Sequence, residues 1–332
     1  MSTVVAIAGS GLAELTCAWL LAGRGHRVRP AADAPAAGAR PLLLTGPTLE
    51  LLGSLWGDGL LHGTWRLDHR QVRWGTGERP TRFAQPARVV DGAVLAARMR
   101  ERLATALGPS AGTARWVVTA RSPDGPGSRL TAGRRHLLAG TAPLRSGTDE
   151  RTALLDTTAL GWLQLTPLGA GRCLVQAMVP GPAEDPTALL TRLLAASGLG
   201  RVLRHAPRAA AAVPAAPRLH HTPALSPGDL TPAGRITVGA GAIRFDPLSG
   251  TGTAQALRTA VLAAAVIDAD AGGAPVAPLC RHLTDRLRAA FAEHLATCAA
   301  LYGSALTSVA WQDELDAARL GSPAPGRAVA PV

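Results

Sequence analysis

The chain has 332 residues, a length that suits roughly two domains. With 47% hydrophobic and 17% charged residues, it has the apolar content to bury a core and falls outside the disordered class. A net charge of +11 attracts anions at long range. The arginines are nevertheless scattered among acids, no long basic run occurs, and aromatic residues to stack bases are scarce. Nucleic acid is therefore set aside as a partner, and an acidic protein or peptide is kept.

The chain contains no lysine and no asparagine, so every basic residue apart from histidine is an arginine. Cys17, Cys173, Cys280 and Cys298 form no C-x-x-C pair, which argues against a disulfide framework or zinc site and for a reducing cytoplasm. The apolar run at residues 4–21 lacks a basic start and is broken by Gly9, Gly11 and Glu14. It reads as part of the fold rather than a leader. No stretch reaches the ~18 uninterrupted apolar residues of a membrane span. A cytoplasmic protein without a membrane partner is the expectation.

In chain order, residues 4–8 predict a buried parallel strand. Gly9-Ser10-Gly11 turns the chain into a helix over 12–23, and a second strand starts at His26. This is a βαβ unit of the usual ~30 residues. Helices are predicted over 47–55, with Pro47 in the first turn, and over 89–107. Strands are predicted at 116–120 and 135–138, and a β-rich stretch at 153–179 with paired strands around Gly169–Gly171. A short helix follows at 186–196, then an Ala/Pro-rich extended connector at 208–217. A strand at 235–239, a helix at 251–268, a helical region at 278–315 and a frayed tail complete the reading.

Two segments carry chemistry. The first is Gly9-x-Gly11-x-x-Glu14, between a strand and a helix. Its glycines let the backbone approach a pyrophosphate, and the helix start offers N–H groups and partial positive charge to the anion. The second runs from Gly239 through Asp246-Pro247-Leu248-Ser249-Gly250-Thr251-Gly252, again from a strand to a helix. It offers a second helix N-terminus to an anion or an electron-rich ring edge.

The order of these motifs, with Gly25-His26-Arg27-Val28, Trp74-Gly75, Gly161-Trp162, Tyr302 and Trp311, resembles the FAD-dependent monooxygenase superfamily. Within it the chain is most similar to the tryptophan halogenase-like proteins and the maturases of lysine oxidase, glycine oxidase and quinohemoprotein amine dehydrogenase. The resemblance implies an α/β fold: a Rossmann-like FAD-binding domain with an inserted β-rich substrate domain and C-terminal helices. The implied division is 1–57, 87–150 and 223–275 for the FAD-binding domain, 58–86 and 151–222 for the substrate domain, 276–320 for the helical region and 321–332 for the tail. FAD would be held by Gly9, Gly11, Leu12, Ala13, Asp33, Arg40, Gly239, Asp246, Pro247, Gly250, Thr251 and Gly252. The implied activity is hydroxylation of an aromatic or protein- or peptide-borne side chain, with reducing equivalents from NAD(P)H or a separate flavin reductase. Substrates would be a small aromatic molecule or an acidic protein or peptide.

The sequence departs from the family pattern at Glu14, in place of the third glycine, where a carboxylate would crowd the strand and repel pyrophosphate. It departs again at Ala32, where an acid would hold the ribose (Asp33 is next door), and at Ala240, where a carboxylate would bind the ribityl chain. The usual Ala-Thr-Gly strand end occurs only as Ala139-Gly140-Thr141. Charge-assisted hydrogen bonds contribute ~1.5–3 kcal/mol each, so losing two weakens FAD by ~10²–10⁴-fold. The alternative is thus a degenerate member with weak or no FAD binding that serves as a binding or scaffold partner. Without lysine the halogenase reading is disfavoured. Trp65, Trp74, Trp162, His62 and His69 are candidates for a substrate pocket, with core packing the commoner fate of tryptophan.

Overall fold

The computed structural model describes residues 2–30, 39–75, 77–108, 111–121, 129–207, 212–220 and 234–320. The chain begins β1 (Val4–Ile7), α1 (Leu12–Gly23), β2 (Arg27–Pro30), β3 (Pro41–Thr45), α2 (Gly46–Trp56), β4 (Trp65–Arg73), β5 (Thr81–Asp91) and α3 (Gly92–Ala104). There follow β6 (Trp116–Thr119), β7 (Arg129–Thr131), β8 (His136–Pro143), β9 (Thr152–Thr158), β10 (Gly161–Gly169), β11 (Arg172–Val179) and α4 (Pro186–Ser197). The chain closes with β12 (Val213–Pro214), β13 (Arg218–His220), β14 (Gly234–Thr237), β15 (Ile243–Arg244), α5 (Gly252–Ala271), α6 (Val276–Ala305) and α7 (Val309–Leu320). It divides into two compact units, the first made of 1–66, 86–130 and 218–288, the second of 67–85, 131–217 and 289–332.

The first unit is built on a parallel sheet in the order β14-β6-β1-β2. β1, buried almost throughout, lies inside that sheet, as its unbroken apolar sequence requires. α1 packs on α5 and buries Ala13, Leu15, Cys17, Ala18 and Leu21. The Cys17 thiol is pushed up to about 12 by this burial, so it is an inert core group. Trp19 stacks on Trp56 at 4.9 Å, and Trp56 donates its indole N–H to Thr16 Oγ1. Asp270, near the end of α5, takes a two-point bond from Arg115 at 2.6 Å and an indole N–H from Trp116 at 2.8 Å. This clamp ties the last turn of α5 to the start of β6.

The second unit holds the antiparallel run β12-β8-β11-β10-β9, with β4 pairing parallel to β9. One face packs Leu163, Leu165, Val175 and Ala177 against Leu190, Leu193 and Leu194 of α4. Buried Arg135 donates to Glu314 Oε2 at 2.7 Å, Glu314 Oε1 accepts Arg134 N–H at 2.6 Å, and the Arg135 guanidinium lies 5.2 Å from the Tyr302 ring centroid. Trp162 donates to Tyr302 Oη at 3.2 Å. The C-terminal helix α7 is thereby anchored on the sheet by a buried ion pair.

The α/β class, the opening βαβ unit and the β-rich stretch are as expected from the sequence. Three boundaries differ. Residues 89–91 end β5 rather than begin a helix: Val89 and Val90 pair with Leu43 and Leu42, and Asp91 caps α3 by accepting Ala93 N–H at 2.7 Å. The helical region expected at 278–315 is made of two helices, Val276–Ala305 and Val309–Leu320. The strands β3, β4 and β5 had no counterpart in the sequence reading. The tail from 321 and the 221–233 stretch lie outside the described residues, as do residues 208–211 of the connector.

Removing one partner of a buried pair strands the other charge. Glu314→Ala is therefore expected to lower stability by about 3–5 kcal/mol in chemical denaturation; a loss under about 1 kcal/mol would mean the pair is not desolvated. Arg115 holds the Asp270 carboxyl below its ordinary value of 3.8. A lowered folded-state pKa adds stability that is present above that value and lost as pH falls through and below it. Asp270→Asn should flatten the acid limb of the stability curve in that window, read by urea melts at successive pH values.

Candidate functional site

In an open parallel sheet, ligands gather at the carboxyl ends of the strands. Here β1, β6 and β14 run side by side, and the loops that leave them converge. Gly239 (φ +59°) sits where an added Cβ would come within 3.0 Å of Ala13 Cβ at the start of α1. An added Cβ on Gly241 would run into the Ala120 carbonyl that follows β6. Gly239 N–H is fixed by Thr259 Oγ1 of α5 at 2.8 Å. The two glycine turns, far apart in sequence, thus meet at one edge of the first unit, bringing Gly9, Gly11, Leu12 and Ala13 together with Gly239.

The rest of the second motif forms a tight hook. Asp246 is buried and accepts Leu248 N–H at 2.9 Å, capping a short 3-10 turn over Pro247–Ser249. Ser249 Oγ accepts Thr251 N–H and shares a hydrogen bond with Thr251 Oγ1 at 2.8 Å. Gly250 takes the left-handed conformation (φ +62°) that lets the chain enter α5 at Gly252. Among the described residues, and apart from the glycines' own chain neighbours and helix backbone, no heavy atom lies within 4 Å of a Cβ built on Gly250 or Gly252, and Thr251 places no side-chain oxygen on the helix start. The N-terminus of the 20-residue α5 therefore has no side-chain cap among the described residues, with its partial positive charge in place.

The α1 turn is different. Glu14 is buried, and its side chain folds back over the turn. Oε2 accepts Gly11 N–H at 2.9 Å and Oε1 accepts Ala120 N–H at 2.7 Å. Gly11 is the helix N-cap and Glu14 the third helical residue, so the carboxylate supplies the return half of a capping box. A Cβ on Gly9 would overlap the Glu14 carboxylate. The expectation that Glu14 crowds the strand is corrected: the side chain fills the hollow above the two glycines instead.

A flavin dinucleotide fits one half of this arrangement and not the other. The amides of Leu248, Ser249, Gly250 and Thr251 are bonded within the hook itself, so what this half offers an anion is the uncapped start of α5. In the α1 turn the Gly11 amide and the space over Gly9 are held by the chain's own carboxylate. Ala240 is exposed beside the hook, leaving no acid there. Ala32 and Asp33 lie outside the described residues. Arg40 is exposed just before β3; its carbonyl accepts Gly92 N–H at 2.8 Å, and its side chain makes no hydrogen bond or ion pair among the described residues.

The pocket candidates have structural roles of their own. Trp162 is core, Trp74 donates its indole N–H to the Leu301 carbonyl at 3.0 Å, and His69 contacts Arg82. His62 offers its carbonyl to Arg98 at 2.9 Å, and Trp65 opens β4 part-buried. Ala139–Thr141 lie within β8, paired to β11, so the loop that reaches the α1 turn is instead the one at Ala120. Sequence reading missed Ala120, whose contribution is a backbone N–H and leaves no residue-type signal.

This combination of parallel sheet, paired glycine turns and β-rich second unit is the fold of the FAD-dependent halogenases and monooxygenases. No protein-family model matches the sequence, and no curated protein matches it. Among solved structures, the chain is similar to the peptidyl tryptophan dihydroxylase QhpG, essential for tryptophylquinone cofactor biogenesis. The TM-score is 0.75 at 20% identity over 96% of this chain and 78% of that one. It is also similar to the myxobacterial chondrochloren halogenase CndH, with TM-score 0.72 at 18% identity over 94% and 85%. A third is HpxO of Klebsiella pneumoniae, solved with FAD and uric acid, with TM-score 0.66 at 16% identity over 96% and 93%. At these identities the likeness establishes the fold. No helix among the described residues is long and apolar enough to cross a membrane.

Overpacking a tight site costs ~1–3 kcal/mol. Gly9→Ala should destabilise by that amount in the parent and by much less in a Glu14→Gly background, giving a coupling of about 1 kcal/mol or more in a double-mutant cycle. Additive effects in thermal melts would contradict the position given to the Glu14 carboxylate.

Proposed function

We propose that this chain is an FAD-dependent oxidoreductase of monooxygenase type, acting on an aromatic or peptide-borne side chain, in which Glu14 competes with the cofactor for its phosphate site. One observation carries the reading: the two glycine turns meet at the carboxyl edge of β1, β6 and β14, where the fold's nucleotides bind. The uncapped start of α5 supports it, since a helix N-terminus stabilises negative charge at a ring edge. The similar solved structures agree in kind: QhpG is a peptidyl tryptophan dihydroxylase, and HpxO was solved with FAD.

When bound, the flavin would supply the redox chemistry, with reducing equivalents from NAD(P)H or a separate reductase. The chain's own residues orient and shield it. Asp246 braces the hook through Leu248 N–H, Gly250 and Gly252 add no side chain to its surface, and the start of α5 would lend its partial positive charge to a bound flavin. Glu14 must leave Gly11 and Ala120 before a pyrophosphate can take their place. Giving up two charge-assisted bonds at ~1.5–3 kcal/mol each weakens cofactor binding by ~10²–10⁴-fold.

A second reading follows from the same carboxylate: a chain that keeps the fold, leaves its phosphate site closed and serves as a binding partner. FAD titration followed by flavin fluorescence quenching separates the two. The first reading expects saturable but weak binding by the parent, tightened by about tenfold or more in Glu14→Gly/Ala240→Asp. If the double variant binds FAD no better than the parent, the cofactor has been put in the wrong place. Parent and variant that both fail to bind would leave only the second reading.

A further inference from the structure

The second unit holds a cavity of about 460 Å³ that the flavin reading leaves unused. Gln71 of β4 and Leu154 of β9, partners across a parallel pair, form its floor, and Leu154 packs on the α4 side of the sheet. The wall is made by the 145–149 turn and the 201–202 segment. These two are fastened together by the Leu144–Leu203 bridge and by Arg145 N–H, which donates to the Val202 carbonyl at 2.9 Å. The residues lining the cavity all belong to the second unit, and its ionised groups are Arg82, Arg145, Arg201 and Asp149.

Positive charge is in surplus here. Asp149 is occupied within the chain: it accepts Thr152 Oγ1 at 2.7 Å, Arg151 N–H at 2.8 Å and Arg82 at 3.1 Å. Arg145 donates Nε–H to the Leu203 carbonyl at 2.9 Å, and Arg201 donates its own to the Gly198 carbonyl at 3.1 Å. Each exposed side chain is thereby steadied at Nε, and its two terminal nitrogens meet no acceptor among the described residues. A guanidinium held in this way presents paired N–H donors to a carboxylate. Arg82 also sits on an unpaired edge. β3 pairs with β5 at residues 87–91, so along 81–85 the outer side of β5 has no strand partner among the described residues. Thr81, Arg82, Phe83 and Ala84 are exposed there. Such an edge takes up an extended peptide as one more strand. The arginine on it repels a second copy of this basic chain and attracts an acidic strand.

We propose that the 81–85 edge of β5 and the cavity of Arg82, Arg145 and Arg201 form one docking surface for an acidic peptide segment in extended conformation. The peptide backbone adds to the sheet at β5, and its alternate side chains fall on the face of Arg82, with their carboxylates on Arg145 and Arg201. The unpaired edge beside the arginines favours a peptide over a free anion of the same charge. The proposal deepens the peptide-borne reading of the substrate and rests on it only for taking the docked segment as part of that substrate; the docking itself stands on the edge and the cavity.

The test uses the full chain at low ionic strength, without added flavin, and follows a labelled, end-capped peptide Glu-Thr-Glu-Thr-Glu-Thr-Glu by fluorescence anisotropy. The same peptide with Gln for each Glu, and inorganic phosphate as competitor, are the controls. The acidic peptide should bind about tenfold or more tighter than the Gln peptide, and Arg145→Gln and Arg201→Gln should each lose about fivefold or more of that affinity. Both positions are exposed, so each variant should melt within about 2 °C of the parent, which separates lost binding from lost folding. Amide hydrogen exchange along 81–85 should slow by about tenfold or more in the complex. Equal affinity for the two peptides, including binding of neither, overturns the proposal, as does full affinity in either variant or unchanged exchange along the edge. Phosphate that binds as tightly as the acidic peptide would assign the arginines to a free anion and overturn it too. Because no arm needs flavin, failure here and failure of the FAD titration are independent results.

Discussion

The Glu14 carboxylate, bonded to the amides of Gly11 and Ala120, is the contact on which the functional account turns. A Rossmann-type turn leaves its first amides unpaired and its glycines bare so that an anion from outside can complete them. Here an anion from inside does so. The helix start is capped, the hollow above Gly9 is filled, and the end of β6 is fastened to the start of α1. The gain in stability and the loss of ligand access come from the same two hydrogen bonds.

Elsewhere along the same edge of the first unit the two turns pack closely, as the proposed nucleotide site needs. Gly239 and Gly241 bring the β14 turn so near Ala13 and Ala120 that no side chain fits between. Asp246 spends its carboxylate on the hook's own backbone, which makes that residue a shaper of the loop. On the proposed reading the contrast within one site is physical: the start of α5 carries no side-chain cap, while the α1 turn is closed by the Glu14 carboxylate.

Much of this was legible from residue order. A short apolar run, Gly-x-Gly and a helix pattern define a βαβ unit, because only a parallel inner strand tolerates Val4–Ile7 without polar alternation. The strand, hook and helix around Asp246–Gly252 were equally plain. What escaped depended on distant partners. Glu14 could be read as repelling an anion, but its return to the turn depends on an amide 106 positions away. Val89 and Val90 suit a helix by composition, yet Leu42 and Leu43 claim them for a sheet. The pairing of Arg218 with Arg244 could not be read from spacing, since the two become neighbours only through strand register. Ala120 acts through its backbone, which no side-chain pattern reports.

Amide chemical shifts of Gly11 and Ala120, followed by NMR while inorganic pyrophosphate is added to the parent and to Glu14→Gly, test the central claim most directly. The account predicts that both amides stay still in the parent and move saturably in the variant. Equal, saturable movement in the parent would show that the carboxylate does not hold the turn against an outside anion, and the competition at the heart of the account would be refuted.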